Sequence, residues 1–285
     1  MFSKIIVIIY LYLMKQFLGT RLYRYRIIKL IHDYVVTLLY QKDTIEINNY
    51  KMVSESGNIF LTAVANNFEI CFCKEKIQRD INVIDIGANV GYYTLHLATL
   101  VGNKGKVFAF EPDPLNFSIL EKNIHLNNFK NIILVNKAVS NSSSKTILFQ
   151  NSFNAGGHSI IKTENADKKI IVETITLDEY FKNFSNKIDL VKIDVEGAEY
   201  QVITGALNFF KKFKPTYLII EFELGNSDSH HKKLFYPDIL SNLGYTLIGK
   251  TDNSKGNSSY VPISMDDLKK TYKNKTVVNL IWQLI

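Results

Sequence analysis

Cysteine is almost missing from this chain. Cys71 and Cys73 are its two cysteines among 285 residues, so a four-thiolate metal site is excluded. In a strand, residues two apart point to one face, a poor geometry for a disulfide. A reducing compartment, the cytoplasm, is therefore expected. Long apolar runs are also lacking. Ile5–Met14 is apolar but half the length of the ~20 residues that a spanning helix needs. Lys4 precedes it as in a signal peptide, yet KQFLGTRLYRYR follows instead of a small-residue cleavage site. Two phosphate-loop signatures are absent as well. Gly91 is followed by Tyr92 and Tyr93 rather than Lys and Ser or Thr, which removes an NTPase loop. The order D-x-G-x-N-x-G from Asp85 lacks the glycine pair of a dinucleotide loop. The net charge of +7 is not gathered into a basic stripe interleaved with aromatics, so no nucleic-acid partner is expected.

Hydrophobic residues make up 46% of the chain, enough for a substantial core. Three regions differ in pattern. Residues 1–43 read as a basic amphipathic helical segment. Arg21, Arg24, Arg26 and Lys29 alternate there with Leu22, Tyr23, Tyr25, Ile27 and Ile28. That composition suits either a helix on a membrane surface or one packed on the domain. Peripheral membrane contact through residues 1–40 is one expectation. Residues 44–79 hold β-formers punctuated by Asn-Asn and Ser-Gly, and short strands or a hairpin are expected. From residue 80 to 285, strands alternate with helices: VIDI, VFAFEP, IILVNKAVS, DLVKIDVEG and TYLIIEFE, with helical stretches between them. KTILFQ and IIVETITL read as an antiparallel pair, and 198–213 as one helix. The alternation predicts a parallel sheet covered on both faces.

The stretch VIDIGANVGYYTL (83–95) carries the chemistry. A buried strand, a glycine turn and a helix start make a unit that offers N–H groups to a ligand. S-adenosylmethionine fits the missing signatures, because its ligand end is an amino acid. Asp85 is placed to hold the ammonium, directly or through water. Gly87 leaves room for the methionine chain, and the loop N–H groups face its carboxylate. Glu111 ends the next strand, where a carboxylate accepts hydrogen bonds from both ribose hydroxyls. NAD enzymes share that acid.

Asp85-Ile-Gly-Ala-Asn-Val-Gly91, Phe110-Glu-Pro-Asp113, Asn136-Lys-Ala138 and Lys192-Ile-Asp-Val-Glu-Gly-Ala-Glu199 together resemble the FkbM family of SAM-dependent methyltransferases. The resemblance covers about residues 80–250. It implies a class I methyltransferase, an α/β Rossmann-like fold with a seven-stranded, mostly parallel sheet whose last strand runs antiparallel. The N-terminal helical and β extension lies outside it. It implies Asp85, Gly87, Ala88, Asn89, Gly91 and Tyr92 around the methionine part and Glu111 on the ribose. Pro112 and Asp113 would flank ribose and adenine, with Asn136 to Ala138 at the adenine edge. It also implies methyl transfer to oxygen, with a saccharide or glycolipid acceptor and a place in glycan modification.

The second acidic centre is LVKIDVEGAEY. Asp194, Glu196 and Glu223, with His158 in NAGGHSI, are the candidate general bases. A carboxylate crowded by others is a better base, because its pKa rises. Asp194 and Glu221 end adjacent strands and offer oxygens suited to Mg2+, which is admissible here but not expected. Lys192 reads as structural. Two other functions compete: an NAD-dependent sugar oxidoreductase, and a non-catalytic subunit on the same fold. The first lacks the glycine pair and any Tyr-x-x-x-Lys near the site. The acceptor molecule and the oligomeric state are not legible in the sequence.

Overall fold

The computed structural model describes residues 44–53, 67–151, 157–162, 166–224, 230–252, 259–267 and 276–285. The basic segment of residues 1–43 lies outside them. The chain divides into two compact units, Met1–Ala65 and Asn66–Ile285. In the first, β1 (Thr44–Ile47) and β2 (Tyr50–Val53) form the expected hairpin, with Ile47 opposite Tyr50. Asn48 and Asn49 make the turn with φ of 49° and 71°. A two-residue hairpin turn needs two left-handed residues, and asparagine adopts that region more readily than most.

The second unit starts with a helix, α1 (Asn67–Lys76), where the β-rich composition predicted strands. Its contacts explain the difference. Phe72 and Cys73 pack with Leu97, Ala98 and Val101 onto Val83, Val107 and Leu190. Tertiary burial thus overrides local β preference. Cys71 and Cys73 do not share a face; Cys71 is exposed and Cys73 buried.

The remaining elements follow as β3 (Asn82–Ile86), α2 (Tyr92–Val101), β4 (Lys106–Phe110), α3 (Pro114–Leu126), β5 (Ile132–Val135), β6 (Ala138–Val139), β7 (Lys145–Gln150) and β8 (Lys168–Ile175). Then come α4 (Leu177–Tyr180), β9 (Ile188–Ile193), α5 (Glu199–Thr204), α6 (Leu207–Phe213), β10 (Tyr217–Leu224), α7 (His230–Asn242), β11 (Tyr245–Asp252), β12 (Ser259–Val261) and β13 (Thr276–Leu284). The main sheet has the order β12-β11-β13-β10-β9-β3-β4-β5. Strands β5, β4, β3, β9 and β10 are parallel. β13 inserts antiparallel between β10 and β11. Leaving aside β12, a three-residue edge strand, this is the seven-stranded class I methyltransferase sheet with its antiparallel last strand.

Every residue of β9 is buried, Lys192 included, because helices cover both faces of a parallel sheet. The helix predicted over 198–213 is broken in two. A Cβ at Gly205 would come within 2.1 Å of the Ser140 carbonyl oxygen, so the chain can pass there only as glycine. The expected β7–β8 pair is present, and β6 joins it as a three-stranded sheet.

Candidate active site

The chain runs outward through β3, β4 and β5, then returns to the other side of β3 at β9 and continues to β10. The sheet order therefore reverses between β3 and β9. In open α/β sheets, ligands bind in the crevice at that point, outside the carboxyl ends of the strands. Asp85 near the end of β3, Glu111 and Asp194 just past β4 and β9, and Glu221 in β10 one residue past its pairing with β9 lie at one rim, so the sequence motifs meet there.

The β3–β4 half is built on backbone. Gly87 and Ala88 donate their N–H groups to the Phe110 carbonyl at 3.0 Å each. The turn continues through Asn89 at φ 51° and Gly91 at φ 95°, and α2 begins. Glu111 is clamped: Oε2 accepts from the Asn89 N–H at 2.8 Å and Oε1 from the Asp113 N–H at 2.9 Å. Each oxygen has one such bond and keeps further acceptor capacity. Burial pushes the Glu111 pKa up to about 7, against the pull of those two N–H groups.

Several residues expected to touch the cofactor are held by partners within the protein. Asp85 is fully buried. Its Oδ2 accepts from Thr94 Oγ1 at 2.7 Å, and its Oδ1 lies 3.6 Å from Lys192 Nζ without a hydrogen bond. It ties the end of β3 to α2 and β9. Gly87 is where the backbones of two loops approach closely. A Cβ there would sit 1.8 Å from the Asp194 carbonyl oxygen, so this glycine lets the β3 and β9 loops meet. Tyr92 is buried and packs edge-on to His96. Ala88 packs with Ala109 and Leu120. Asp113 caps α3, its Oδ1 accepting from the N–H groups of Leu115 and Asn116. Its Oδ2 meets Gln150 Nε2 and stands 3.0 Å from His158 Nδ1. Burial raises the pKa of Asp113, but His158, Gln150 and the Asn116 N–H outweigh it and bring it to about 2. His158 is thus paired with Asp113 through Nδ1. Asn136 Nδ2 donates to the carbonyls of Glu111 and Pro112, which fixes the strand end. Ala138 packs in the small sheet's core with Leu148 and Val172. Gly87, Asn89 and Pro112 are half-buried on the rim.

The β9–β10 half is built on charge. Asp194 donates its N–H to the Ile86 carbonyl at 3.0 Å, tying the two strand ends together. Glu196 has φ 54°, an unusual backbone for a non-glycine residue, and Gly197 follows at φ 100°. This turn brings carboxylate oxygens of Asp194, Glu196 and Glu221 within 4.8 Å of one another. Glu196 joins a pair that sequence reasoning had limited to Asp194 and Glu221. Burial, followed by the charges of Asp194, Glu196 and Glu199, lifts the Glu221 pKa well above the usual carboxylate range. Lys192 Nζ lies 3.1 Å from Asp194 Oδ2 and 4.6 Å over the Tyr93 ring. The lysine links the acids of the two halves. Glu223 lies in β10 opposite Val277, with its side chain outside the described residues.

Sequence reasoning assigned no role to two further residues. Glu199 Oε1 accepts from the Gly197 N–H at 3.1 Å, and burial raises its pKa to about 7. It stood at the end of the motif, so its position was legible. Tyr236 on α7 is 2% exposed, and its hydroxyl has no hydrogen-bond partner. No local pattern marks it.

The strand order and the glycine-loop crevice define a class I methyltransferase fold. The chain belongs to the family of the methyltransferase FkbM domain, whose profile matches residues 85–247. Among curated proteins it is similar to the hexuronic acid methyltransferase AglP of Haloferax volcanii. That match is 30% identical over 153 residues, 53% of this chain and 59% of AglP. It is also similar to the methyltransferase sdnD of Sordaria araneosa, at 26% identity over 166 residues, 47% of this chain and 64% of sdnD. The chain spans about three fifths of the length of these relatives. Among solved structures, the FkbM methyltransferase from Methylobacillus flagellatus has 16% identity and a TM-score of 0.45, covering 79% of this chain and 52% of that one.

Proposed function

We propose that this protein is an S-adenosylmethionine-dependent O-methyltransferase that acts on a hydroxyl of a saccharide. The observation that carries the proposal is Glu111, held by two backbone N–H groups at the end of β4 beside the Gly87–Gly91 loop. A carboxylate held this way suits two vicinal hydroxyl donors, the recognition problem that a ribose sets. The opposite half of the rim argues against a dinucleotide. Asp194, Glu196 and Glu221 would repel a pyrophosphate but tolerate an ammonium and a sulfonium.

S-adenosylmethionine supplies a methyl group already activated by its positive sulfur. The protein must then bind, align and deprotonate the acceptor. Alignment alone is worth about 7–11 kcal/mol in well-oriented reactions. The loop at Gly87 to Gly91 and Glu111 fix the donor side. The acidic cluster at the ends of β9 and β10 receives the acceptor hydroxyl and its proton. Glu221 is suited to that step because burial, and then its acidic neighbours, make its carboxylate more basic. Lys192, paired with both Asp85 and Asp194, keeps the two sides in register.

The saccharide reading rests on the family and on the hexuronic acid activity named for AglP. Among the described residues no helix is long and apolar enough to cross a membrane. The composition of residues 1–40 supports peripheral contact with an anionic bilayer, and so with a glycolipid acceptor. The full chain should co-sediment with anionic liposomes, and a chain starting at residue 44 should not. The activity is tested by transfer of labelled methyl from the cofactor to saccharides, neutral and uronic. Label should enter a base-stable ether in the wild type and be lost in Glu111→Ala. No incorporation into any saccharide, with transfer to an amine or thiol instead, would overturn the acceptor assignment.

A further inference from the structure

The small sheet β6-β8-β7 packs one face and leaves the other open. Leu148 and Val172 are buried with Ala138, and Ile160 and Ile170 pack against them. Successive strand residues point to opposite faces, so Lys145, Ile147 and Phe149 of β7 share the other side. Their partners on β8 are Glu173, Ile171 and Lys169. Ile171 is 74% exposed and Ile147, directly opposite, 43%. The solvent face of an antiparallel sheet ordinarily carries polar residues at such positions. Ile161, also exposed, lies just past the Phe149–Ser159 bridge at the edge of this sheet. Three of the six large apolar side chains exposed among the described residues are therefore in one place, which marks an interaction surface.

The charges around them are in excess of one sign. Lys145 and Lys169 lie on the open face, Lys169 with its Nζ 5.6 Å over the Phe149 ring. Glu173, the acid of that face, is ion-paired with Lys137 at 2.9 Å. Beside it Lys162 and Lys168 are exposed, with Asp167 as the acid among the described residues there. The sheet is also joined to both halves of the rim. Gln150, at the end of β7, donates to Asp113 Oδ2, and Ser159 Oγ donates to the Val195 carbonyl at 3.4 Å. A second copy docked through the same face would set lysines against lysines. An anionic bilayer matches both features, taking up the apolar side chains and offering phosphates to the ammonium groups.

We infer that the open face of β7 and β8, centred on Ile147 and Ile171 and flanked by Lys145 and Lys169, docks on an anionic lipid bilayer and holds the edge of the crevice at the membrane surface. The inference goes beyond the contact proposed for residues 1–40, and stable association with a bilayer takes two such signals. It rests on the methyltransferase reading only for what the crevice meets there. The isoleucines enter the boundary between headgroups and acyl chains, while the lysines reach the phosphates. A saccharide anchored in the same bilayer then reaches the rim without leaving the membrane.

The test is partition of the full chain onto vesicles of phosphatidylglycerol and phosphatidylcholine, against vesicles of phosphatidylcholine alone. Wild type should bind the anionic vesicles and not the neutral ones. Ile171→Ser should weaken binding by about tenfold, the effect of one isoleucine no longer removed from water. Lys169→Gln should weaken it by about fivefold, the effect of one lysine near an anionic surface. Both side chains are exposed, so both variants should fold and bind S-adenosylhomocysteine in calorimetry as wild type does. Weakened vesicle binding with nucleoside binding intact supports the docking face. Equal binding by wild type and both variants overturns it, as does a wild type that binds neither kind of vesicle or both equally. A wild type that dimerises with concentration in analytical ultracentrifugation, where Ile171→Ser does not, assigns the face to a second copy and also overturns it. Failure of nucleoside binding in the wild type strikes the methyltransferase reading instead, and the vesicle result still decides the docking face.

Discussion

The two halves of the rim are built on opposite principles. At the end of β4, every carboxylate is already provided for. Glu111 holds two N–H groups, and Asp113 holds two more with Gln150 and His158. At the ends of β9 and β10, carboxylates crowd one another and Lys192 is their shared cation. The first half is a finished mould whose shape persists without ligand. The second stores electrostatic repulsion that a substrate, proton or cation relieves. A methyl transferase needs both: a rigid grip on an invariant nucleoside, and a reactive face for the acceptor.

Breaking the joint between the halves should have the largest effect. In Gly87→Ala the new methyl meets the Asp194 carbonyl at 1.8 Å, at φ +81°. Steric and backbone strain together predict a loss of about 3 kcal/mol or more in urea unfolding. Gly197→Ala is the control. Its Cβ meets nothing within 4 Å, so only the φ of +100° counts, at about 1–2 kcal/mol. Equal losses in the two variants would deny that the loops lock together at Gly87.

Next is the reactive half alone. Glu221→Gln should lower kcat by about 10²–10⁴-fold, the range for a group engaged in proton transfer. Its affinity for S-adenosylhomocysteine should stay unchanged in calorimetry. A parallel loss of affinity would erase the division between the halves. The mould is tested by Glu111→Ala. Wild type at a nucleoside concentration 100 times the dissociation constant gains about 2.7 kcal/mol of stability, and the variant should lose that gain in a thermal shift.

The smallest effect is a pH slope. Glu111 and Glu199 have folded-state pKa values raised from 4.5 to about 7. Each binds its proton more tightly when folded, so its stabilising contribution is complete below about pH 4.5. That contribution is lost as the pH rises through about 7. The ligand-free protein should therefore be less stable at pH 8 than at pH 5, and Glu111→Gln should flatten the slope. Nucleoside binding below pH 7 should release a proton as Glu111 ionises, measurable as a buffer-dependent binding enthalpy.

The same division marks what the sequence reveals. Strands such as VIDI and DLVKI are apolar runs ended by an acid, so their order and the rim they form were legible. So was the position of Glu111, because VFAF is an apolar run that stops at that acid. The roles of Asp85, Asp113 and Tyr92 were not. Each has the residue type of a ligand contact, but Lys192 reaches Asp85, and His158 and Gln150 reach Asp113, only in the folded sheet, while Tyr92 is buried against His96 of its own helix. Helix α1 read as a strand because NFEICFC is rich in β-formers, while its apolar side is defined by α2. Tyr236 is buried on α7 against Phe222, which no spacing within α7 announces.

The most direct measurement is a calorimetric titration of the full chain with S-adenosylhomocysteine and, separately, with NAD. The account predicts one nucleoside bound per chain, no heat from NAD, and loss of binding in Glu111→Ala. Binding of NAD with none of the homocysteine nucleoside would contradict it.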